Sequence, residues 1–184
     1  MKRFKKVLAL VLAGVLALAM LTACDGGTTD PDSIMPEDGT PEVVMTVNNM
    51  AANKGLGQVE YSAKYSAVTK ALLENWLEYT NNKINNTTYW ENYRKITAEL
   101  GSVKIVVGMT KDYRPITSDY NPASKTSFKY DSLFKDESAF NLAEKIGVAY
   151  VTTSNGTVYQ AVCLFDVNCC LLYTSPSPRD AHES

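Results

Sequence analysis

The segment that most constrains the fold is a pair of strand-like runs near the end of the chain, Ile146–Val151 and Val158–Phe165. Both runs are rich in β-branched and aromatic residues, the types that favour extended structure. Asn155-Gly156 lies between them, and this dipeptide is typical of the type I′ turns that join antiparallel strands. The sequence therefore predicts a C-terminal β-hairpin, and the remaining segments decide what covers it.

Three upstream segments have the residue spacing of amphipathic helices. The first begins at Thr40-Pro41, an N-cap followed by a proline at the first helical position, and it stops at Gly55. Ser62 begins the second helix, and the capping-box pattern Thr88–Glu91 begins a third that ends at Gly101. The apolar stripe of the second helix consists of Tyr65, Val68, Leu72, Trp76 and Tyr79.

The region between these helices and the hairpin has mixed patterns. Ser102–Met109 alternates apolar and other residues, which predicts a strand. Thr110–Ser132 contains two prolines and many Ser, Thr and Asp residues, so we expect a long loop of the kind that often carries function. Glu137–Lys145 predicts a short helix. Together these elements predict an α/β (α+β) domain over residues 41–168, with helices covering a sheet.

The charge distribution argues against a nucleic-acid partner. Residues 41–168 contain 13 basic and 13 acidic residues, and no basic cluster stands out among them. A protein that binds nucleic acid usually concentrates Lys and Arg on one face to neutralise phosphates. We therefore expect no nucleic-acid binding.

The start of the chain has the form of an export signal. Basic residues precede an unbroken apolar stretch, Val7–Ala19, and Leu21-Thr22-Ala23-Cys24 follows it. This tetrad resembles the lipobox of bacterial lipoproteins. The resemblance implies that residues 1–23 are a signal peptide, that Cys24 is the lipid-attachment residue, and that the protein is anchored on the extracytoplasmic face of the cell membrane. A transmembrane helix of similar length is the alternative interpretation.

Two further segments flank the predicted domain. Residues 24–40 are rich in Pro, Gly, Thr and acids, and they contain too few apolar residues to order themselves, which predicts a flexible acidic tether. Residues 169–184 are set aside, because the run Cys170–Asp180 resembles the translation of a common sequencing adaptor. We expect the natural sequence to differ beyond about Asn168. The tail also holds His182, the single histidine of the chain.

Two stretches of the predicted domain resemble bacterial CAP (SCP-like) domains. In the first, Asn48 is followed by Gly55-Leu56, the strand-like QVEYS and an Ala- and Leu-rich helix. The second is AEKIGVAYVTTSNGTVYQAVCLF, with Ile146–Ala149 in place of that family's IGVG strand. The resemblance implies a three-layer α-β-α sandwich that ends in a hairpin.

The histidines that line the cleft of many CAP domains are missing here. Where one of them would precede the IGVG strand, this chain has Glu137 and Ser138. An all-carboxylate metal site is conceivable, but Asp136 and Glu137 are better interpreted as the solvated start of a helix. We assign no catalytic residue, no metal ligand and no cofactor. Cys163 lies inside a strand pattern and is expected to be a small buried residue rather than a nucleophile.

Four aromatic residues of the expected long loop are the candidate ligand contacts: Tyr113, Tyr120, Phe128 and Tyr130. Exposed rings could hold a sugar or a peptide, although rings that pack the loop onto the domain are the alternative. Two hypotheses follow. The first is a non-catalytic binding module at the cell surface with a cell-wall or extracellular peptide or glycan ligand. The second is a carboxylate-dependent hydrolase that acts on such material.

Overall fold

The computed structural model describes residues 39–109, 113–121 and 128–168. Within them lie four α-helices: α1 (Thr40–Asn53), α2 (Ala63–Thr80), α3 (Asn86–Ala98) and α4 (Glu137–Phe140). A 3₁₀ helix, Tyr130–Phe134, precedes α4. The strands are β1 (Glu60–Tyr61), β2 (Lys104–Val107), β3 (Ile116–Tyr120), β4 (Lys145–Thr152) and β5 (Val158–Asp166). The predicted mixture of helices and sheet with a C-terminal hairpin is confirmed.

Several predictions concern residues that the structure does not describe. The signal peptide of residues 1–23, the lipid-attachment residue Cys24, the tether up to residue 38 and the segment 169–184 all lie outside the described residues. Within the described ranges, none of the helices combines the length and the apolar character needed to cross a membrane.

The sheet is built around the C-terminal hairpin. Residues Val158–Phe165 of β5 pair with the whole of β4, and β1 adds to the far side of β4 in the parallel direction. On its other side, β5 pairs antiparallel with β2 near its end and with β3 near its beginning. Strands β2 and β3 therefore lie end to end along one edge of the sheet.

Helix α2 lies unusually close to the hairpin. A Cβ atom on Gly147 would stand 2.5 Å from both Thr69 Oγ1 and the Tyr65 carbonyl oxygen. On the same face, the Tyr65 and Phe165 rings stack with their centroids 4.6 Å apart. The small side chain of Cys163 is fully buried there. Helix α2 can reach this close because Gly147 and Cys163 beneath it are small.

The opposite face of the sheet carries the larger apolar core. Side chains from α1, from the two short helices and from β4 and β5 form it together. Its fully or almost fully buried members include Val47, Leu133, Phe140, Ile146, Val162 and Leu164. Helices thus pack on both faces of the sheet, as the alternation of side chains along β4 and β5 requires.

Three helix boundaries differ from the sequence-based expectation. Gly39, with φ of +87°, is the N-cap of α1, so the predicted cap Thr40 is already helical. Asn85 caps α3 by accepting a hydrogen bond from Thr88 N at 2.8 Å, so the helix starts before the predicted capping box. Helix α4 ends at Phe140, because the chain must already be extended at Lys145 to pair with β5.

The expected long loop, Thr110–Ser132, is the largest error of the sequence analysis. It contains strand β3, which lies in line with β2 at the same edge of the sheet. The Met109–Pro115 bridge and a hydrogen bond of 2.6 Å from Ile116 N to Gly108 O join the ends of the segment between the two strands. Gly108 takes φ of +99°, and a Cβ there would stand 2.4 Å from Val162 O. Only glycine fits at this junction.

The hairpin is where the sequence placed it, but its turn is of another type. Gly156 N donates to Thr153 O at 2.9 Å, and Thr153 N donates to Thr157 O at 2.9 Å. Gly156 has φ of +84°, whereas the φ of Asn155 is not positive. A type I turn followed by a left-handed glycine has this pattern, whereas the type I′ turn needs positive φ at both central residues.

Gly147→Ala should destabilise the fold, because its new methyl group must displace the backbone of α2 at Tyr65. We expect the free energy of unfolding to fall by about 1–3 kcal/mol, as for other overpacked cores. Urea unfolding followed by circular dichroism measures the change. Gly57→Ala is the matched control, since a Cβ there meets nothing closer than 3.9 Å. Equal stability of the two variants would contradict the close packing of α2 on β4.

Candidate functional site

Three tyrosines gather around one buried glutamine at the end of the sheet face that α1 covers. Gln160 is fully buried, and its Nε2 donates to the Tyr150 hydroxyl at 2.8 Å. The Tyr130 hydroxyl donates to Gln160 Oε1 at 3.4 Å. The Tyr120 ring lies 4.8 Å from that of Tyr150, and Phe128 stacks on Tyr130 at 4.8 Å. We call these five residues the tyrosine cluster.

The strand register explains why these side chains meet. Ser118, Gln160 and Tyr150 stand opposite one another on β3, β5 and β4, so they form one polar row across the sheet. The next row toward the core is apolar and contains Ile116, Val162 and Val148. The tyrosine cluster therefore lies at the boundary between the apolar core and the end of the sheet.

Two buried hydroxyls near the cluster lack a hydrogen-bond partner among the described residues, Thr40 Oγ1 and Ser118 Oγ. The Gly39 backbone, just before Thr40, is pressed against the phenols. A Cβ on Gly39 would lie 2.7 Å from the Tyr120 hydroxyl and 3.1 Å from that of Tyr150. The beginning of α1 is thus packed directly onto the cluster.

Burial shifts the titration of two of these phenols. It raises the pKa of Tyr130 to about 12, and the hydrogen bond with Gln160 opposes this rise. Burial also raises the pKa of Tyr150. The hydrogen bond with Gln160 and, after it, the nearby Thr40 hydroxyl oppose that rise. Both phenols are therefore neutral hydrogen-bonding groups at physiological pH.

Tyr113 is separated from the other three candidate aromatics and lies against α3. Its ring meets those of Trp90 and Tyr93 edge-on, with centroids 5.2 Å and 5.6 Å away. Trp90 and Tyr93 also contact each other at 5.6 Å. We call these three residues the aromatic triad. The Tyr113 side of the triad faces solvent, since this residue is 51% exposed, whereas Phe128 in the tyrosine cluster is only 6% exposed.

The Tyr113 backbone is held in a conformation that few residues adopt. Its φ is +57°, in the left-handed region that costs a non-glycine residue free energy. The buried Tyr89 side chain donates a hydrogen bond of 2.7 Å from its hydroxyl to the Tyr113 carbonyl oxygen. Tyr89 belongs to α3 and is linked to α2, because Asn75 Nδ2 of α2 donates to the Tyr89 carbonyl oxygen at 3.1 Å. Packing between the helices thus fixes where the Tyr113 ring is presented.

Asp136 and Glu137, the two acids weighed above against a metal site, are engaged in structural contacts. Asp136 caps α4, accepting from Ala139 N at 3.0 Å and from Ser138 Oγ at 2.6 Å. The Ser138 hydrogen bond, followed by that of Ala139, lowers the pKa of Asp136. Glu137 forms an ion pair of 3.0 Å with Lys54. Across residues 39–109, 113–121 and 128–168, no group of three or more His, Cys, Asp or Glu side chains could hold a metal ion.

Cys163 is a buried free thiol, as the sequence analysis expected. Its Sγ donates weakly to the Gly108 carbonyl oxygen at 3.6 Å. Burial raises the pKa of this thiol to about 12, so the reactive thiolate is scarce at neutral pH. Cys163 therefore acts as a packing residue beneath α2.

Several residues of the tyrosine cluster and of the aromatic triad could not be identified from the sequence. Gln160 and Tyr150 occupy ordinary strand positions, and only the register across three strands reveals that they meet. Trp90 and Tyr93 belong to the predicted third helix, where the sequence does not distinguish them from core residues, yet both are only partly buried. Aromatic residues three positions apart on one helix face would have been the available signal.

The chain shows no match to known proteins in any of three comparisons: no family model matches it, and no curated protein or solved structure is significantly similar to it. The resemblances to the lipobox and to CAP domains therefore stay predictions from the sequence.

Tyr130→Phe should reduce the loss of stability at alkaline pH. The pKa of Tyr130 rises from 10.0 to about 12 on folding, so the fold favours the neutral phenol. Its stabilising contribution is complete below about pH 10 and is lost as the pH rises toward about 12. Urea unfolding at several pH values between about 9 and about 11 should show a steeper decline for the unmodified chain. Equal slopes would mean that the Tyr130 phenol titrates as freely as in the unfolded chain.

Proposed function

We propose that this protein is a bacterial lipoprotein that holds a non-catalytic, CAP-like binding domain at the extracytoplasmic face of the cell membrane. The acylated Cys24 anchors it in the lipid, and the acidic tether holds the folded domain away from the bilayer. Because Gly39 and Thr40 already belong to α1 and its cap, the tether ends at residue 38 rather than at residue 40. Two or three acyl chains on one cysteine give stable anchoring, whereas a single chain gives only marginal binding. The ligand is a cell-wall or extracellular peptide or glycan.

The aromatic triad is the observation that carries the binding role. Trp90, Tyr93 and Tyr113 present rigid rings with polar tips, and such side chains dominate the contact energy of many binding surfaces. Tyr113 keeps a strained backbone while half of its surface stays exposed. Strain of this kind is found preferentially at functional positions.

Contacts in the structure favour binding over hydrolysis. Asp136 and Glu137 are already committed to a helix cap and to an ion pair, so these two are poorly placed to act as a general acid and base. A hydrolase would need carboxylates that face a substrate cleft and each other. These two acids therefore give the hydrolase no support, and the exposed Tyr113 of the aromatic triad favours the binding module.

The finer fold assignment, a three-layer α-β-α sandwich of the CAP type, belongs to the same proposal. It is supported by helices on both faces of the sheet. Asn48, one of the residues that carry the resemblance, ties α1 to the segment that enters β1. Its side-chain amide donates to Val59 O and accepts from Val59 N, each at 2.9 Å.

Cys24→Ser should abolish lipid attachment. The full chain is expressed in bacteria fed with labelled palmitate. The unmodified protein should carry label on Cys24 as its N-terminal residue, because the lipobox implies that this cysteine is acylated and that the signal peptide is cleaved before it. Cys163→Ser is the matched control and should keep the label, since this thiol is buried in the folded domain. Equal labelling of the Cys24→Ser protein, or an intact N-terminal Met1 in the mass spectrum, would refute the anchor.

Tyr113→Asn should weaken ligand binding at least about tenfold, which corresponds to about 1.4 kcal/mol. Asparagine tolerates positive φ, so the ring is removed without adding backbone strain. Binding is measured by co-sedimentation of the detergent-solubilised full chain with purified cell-wall sacculi, and by binding to soluble glycan and peptide fractions.

Met45→Ala is the control for this measurement. Met45 is 59% exposed on α1, which packs on the opposite face of the sheet from α2 and α3. This control should bind like the unmodified protein. If Tyr113→Asn binds every fraction as tightly as the control, the aromatic triad is not the contact surface.

A further inference from the structure

The two long edges of the sheet differ in what lies against them among the described residues. Beyond the short β1, the edge of β4 is covered by α2, where Val148 N donates to Ser66 Oγ at 3.1 Å. On the opposite side of the sheet, β2 and β3 pair with β5 and with no other strand of the described ranges. An unpaired edge presents a row of backbone N–H and C=O groups that can accept another strand.

The ladder determines which backbone groups of β3 point outward. Val148 N and Ile146 O are directed away from β5, since they bond to Ser66 and to Ser62. The opposed residue of β5, Val162, must therefore direct its own N–H and C=O toward β3. By the alternation of an antiparallel ladder, Ser118 and Tyr120 bond to β5. The backbone groups of Thr117 and Asp119, which lie between these positions, point away from the sheet.

A groove of about 660 Å³ runs along this edge. Its floor is formed by consecutive residues of the edge itself, Val106–Met109 and Arg114–Thr117. Trp76 of α2 stands on one side, and Ser132, Lys135, Asp136 and Ala139 line the other. The volume falls within the range of sites that hold small ligands and short peptide segments.

We propose that this groove binds an extended peptide, which adds to β3 as a further strand of the sheet through the backbone of Thr117. The inference rests on the proposed binding function and deepens it by naming the ligand class.

Backbone geometry favours a peptide over a glycan here. Outward N–H and C=O pairs on a strand recur about every 7 Å, a spacing that a second extended backbone matches residue by residue. Alternate side chains of such a peptide would face the two walls, where Trp76 offers an aromatic surface and Ala139 a small one. Tyr113 directly precedes Arg114 of the groove, so the aromatic triad adjoins the same surface.

The test removes one outward N–H without touching the ladder inside the sheet. Thr117→Pro deletes that donor, and a proline is tolerated on an edge strand where its nitrogen faces solvent. Thr117→Val is the matched control, because it keeps the N–H and has nearly the same shape. The probe is a random library of eight-residue peptides, screened against the detergent-solubilised full chain. An enriched peptide is then compared with a copy N-methylated at alternate backbone nitrogens.

We expect the unmodified protein and Thr117→Val to enrich the same peptides, and Thr117→Pro to bind them at least about tenfold more weakly. N-methylation of the peptide should cause a similar loss, and this measurement stands even if Thr117→Pro fails to fold. Absence of enrichment would overturn the proposal. So would binding that is insensitive to both changes, or a concentration-dependent dimer of the unmodified chain that Thr117→Pro abolishes, which would make a second copy the occupant.

The outcomes separate this inference from the broader function. Ligand binding that is lost in Tyr113→Asn but unchanged in Thr117→Pro would leave the binding module intact and remove the strand-addition mode. Loss of lipid labelling concerns Cys24 alone and bears on neither surface.

Discussion

The close approach of α2 to β4 at Gly147 is the constraint on which the rest of the structure depends. Without a side chain at Gly147, the Tyr65 carbonyl and the Thr69 hydroxyl can lie almost on the strand. This proximity brings Ser66 within reach of Val148 N, and that hydrogen bond closes the sheet on the side of β1. A single missing methyl group therefore lets α2 cover β4 beyond the short β1, whereas β2 and β3 pair with β5 and with no other strand of the described residues.

The two groups of aromatic residues are built for different tasks. In the tyrosine cluster, the Tyr130 and Tyr150 phenols are tied inward to the buried Gln160, so their hydrogen bonds are largely used within the fold. In the aromatic triad, the hydrogen bond is made to the backbone instead. The Tyr89 hydroxyl donates to the Tyr113 carbonyl oxygen, and the Tyr113 side chain stays exposed. The first arrangement stabilises the start of α1, and the second is suited to contact with a partner.

The parts of the fold encoded by neighbouring residues could be predicted, and those created by pairing across the chain could not. Ser62 caps α2 as its sequence suggests, accepting from Tyr65 N at 3.3 Å, because both residues belong to the same turn. Strand β3 was missed because ITSDY has little apolar character, and its extended form comes from pairing with β5. The candidate aromatics were divided between two faces for the same reason, as their partners lie far away in the sequence.

The segment between Met109 and Pro115 connects β2 to β3, two strands that lie in line at one edge of the sheet. Its ends are joined by the Met109–Pro115 bridge and by the hydrogen bond from Ile116 to Gly108. Residues can be added to or removed from such a closed detour at a small entropic cost, because neither strand has to shift its register. The fold thus contains a place beside the β2–β3 edge where the length of the chain can change while the supporting sheet stays the same, provided that Tyr113 keeps its hydrogen bond to Tyr89.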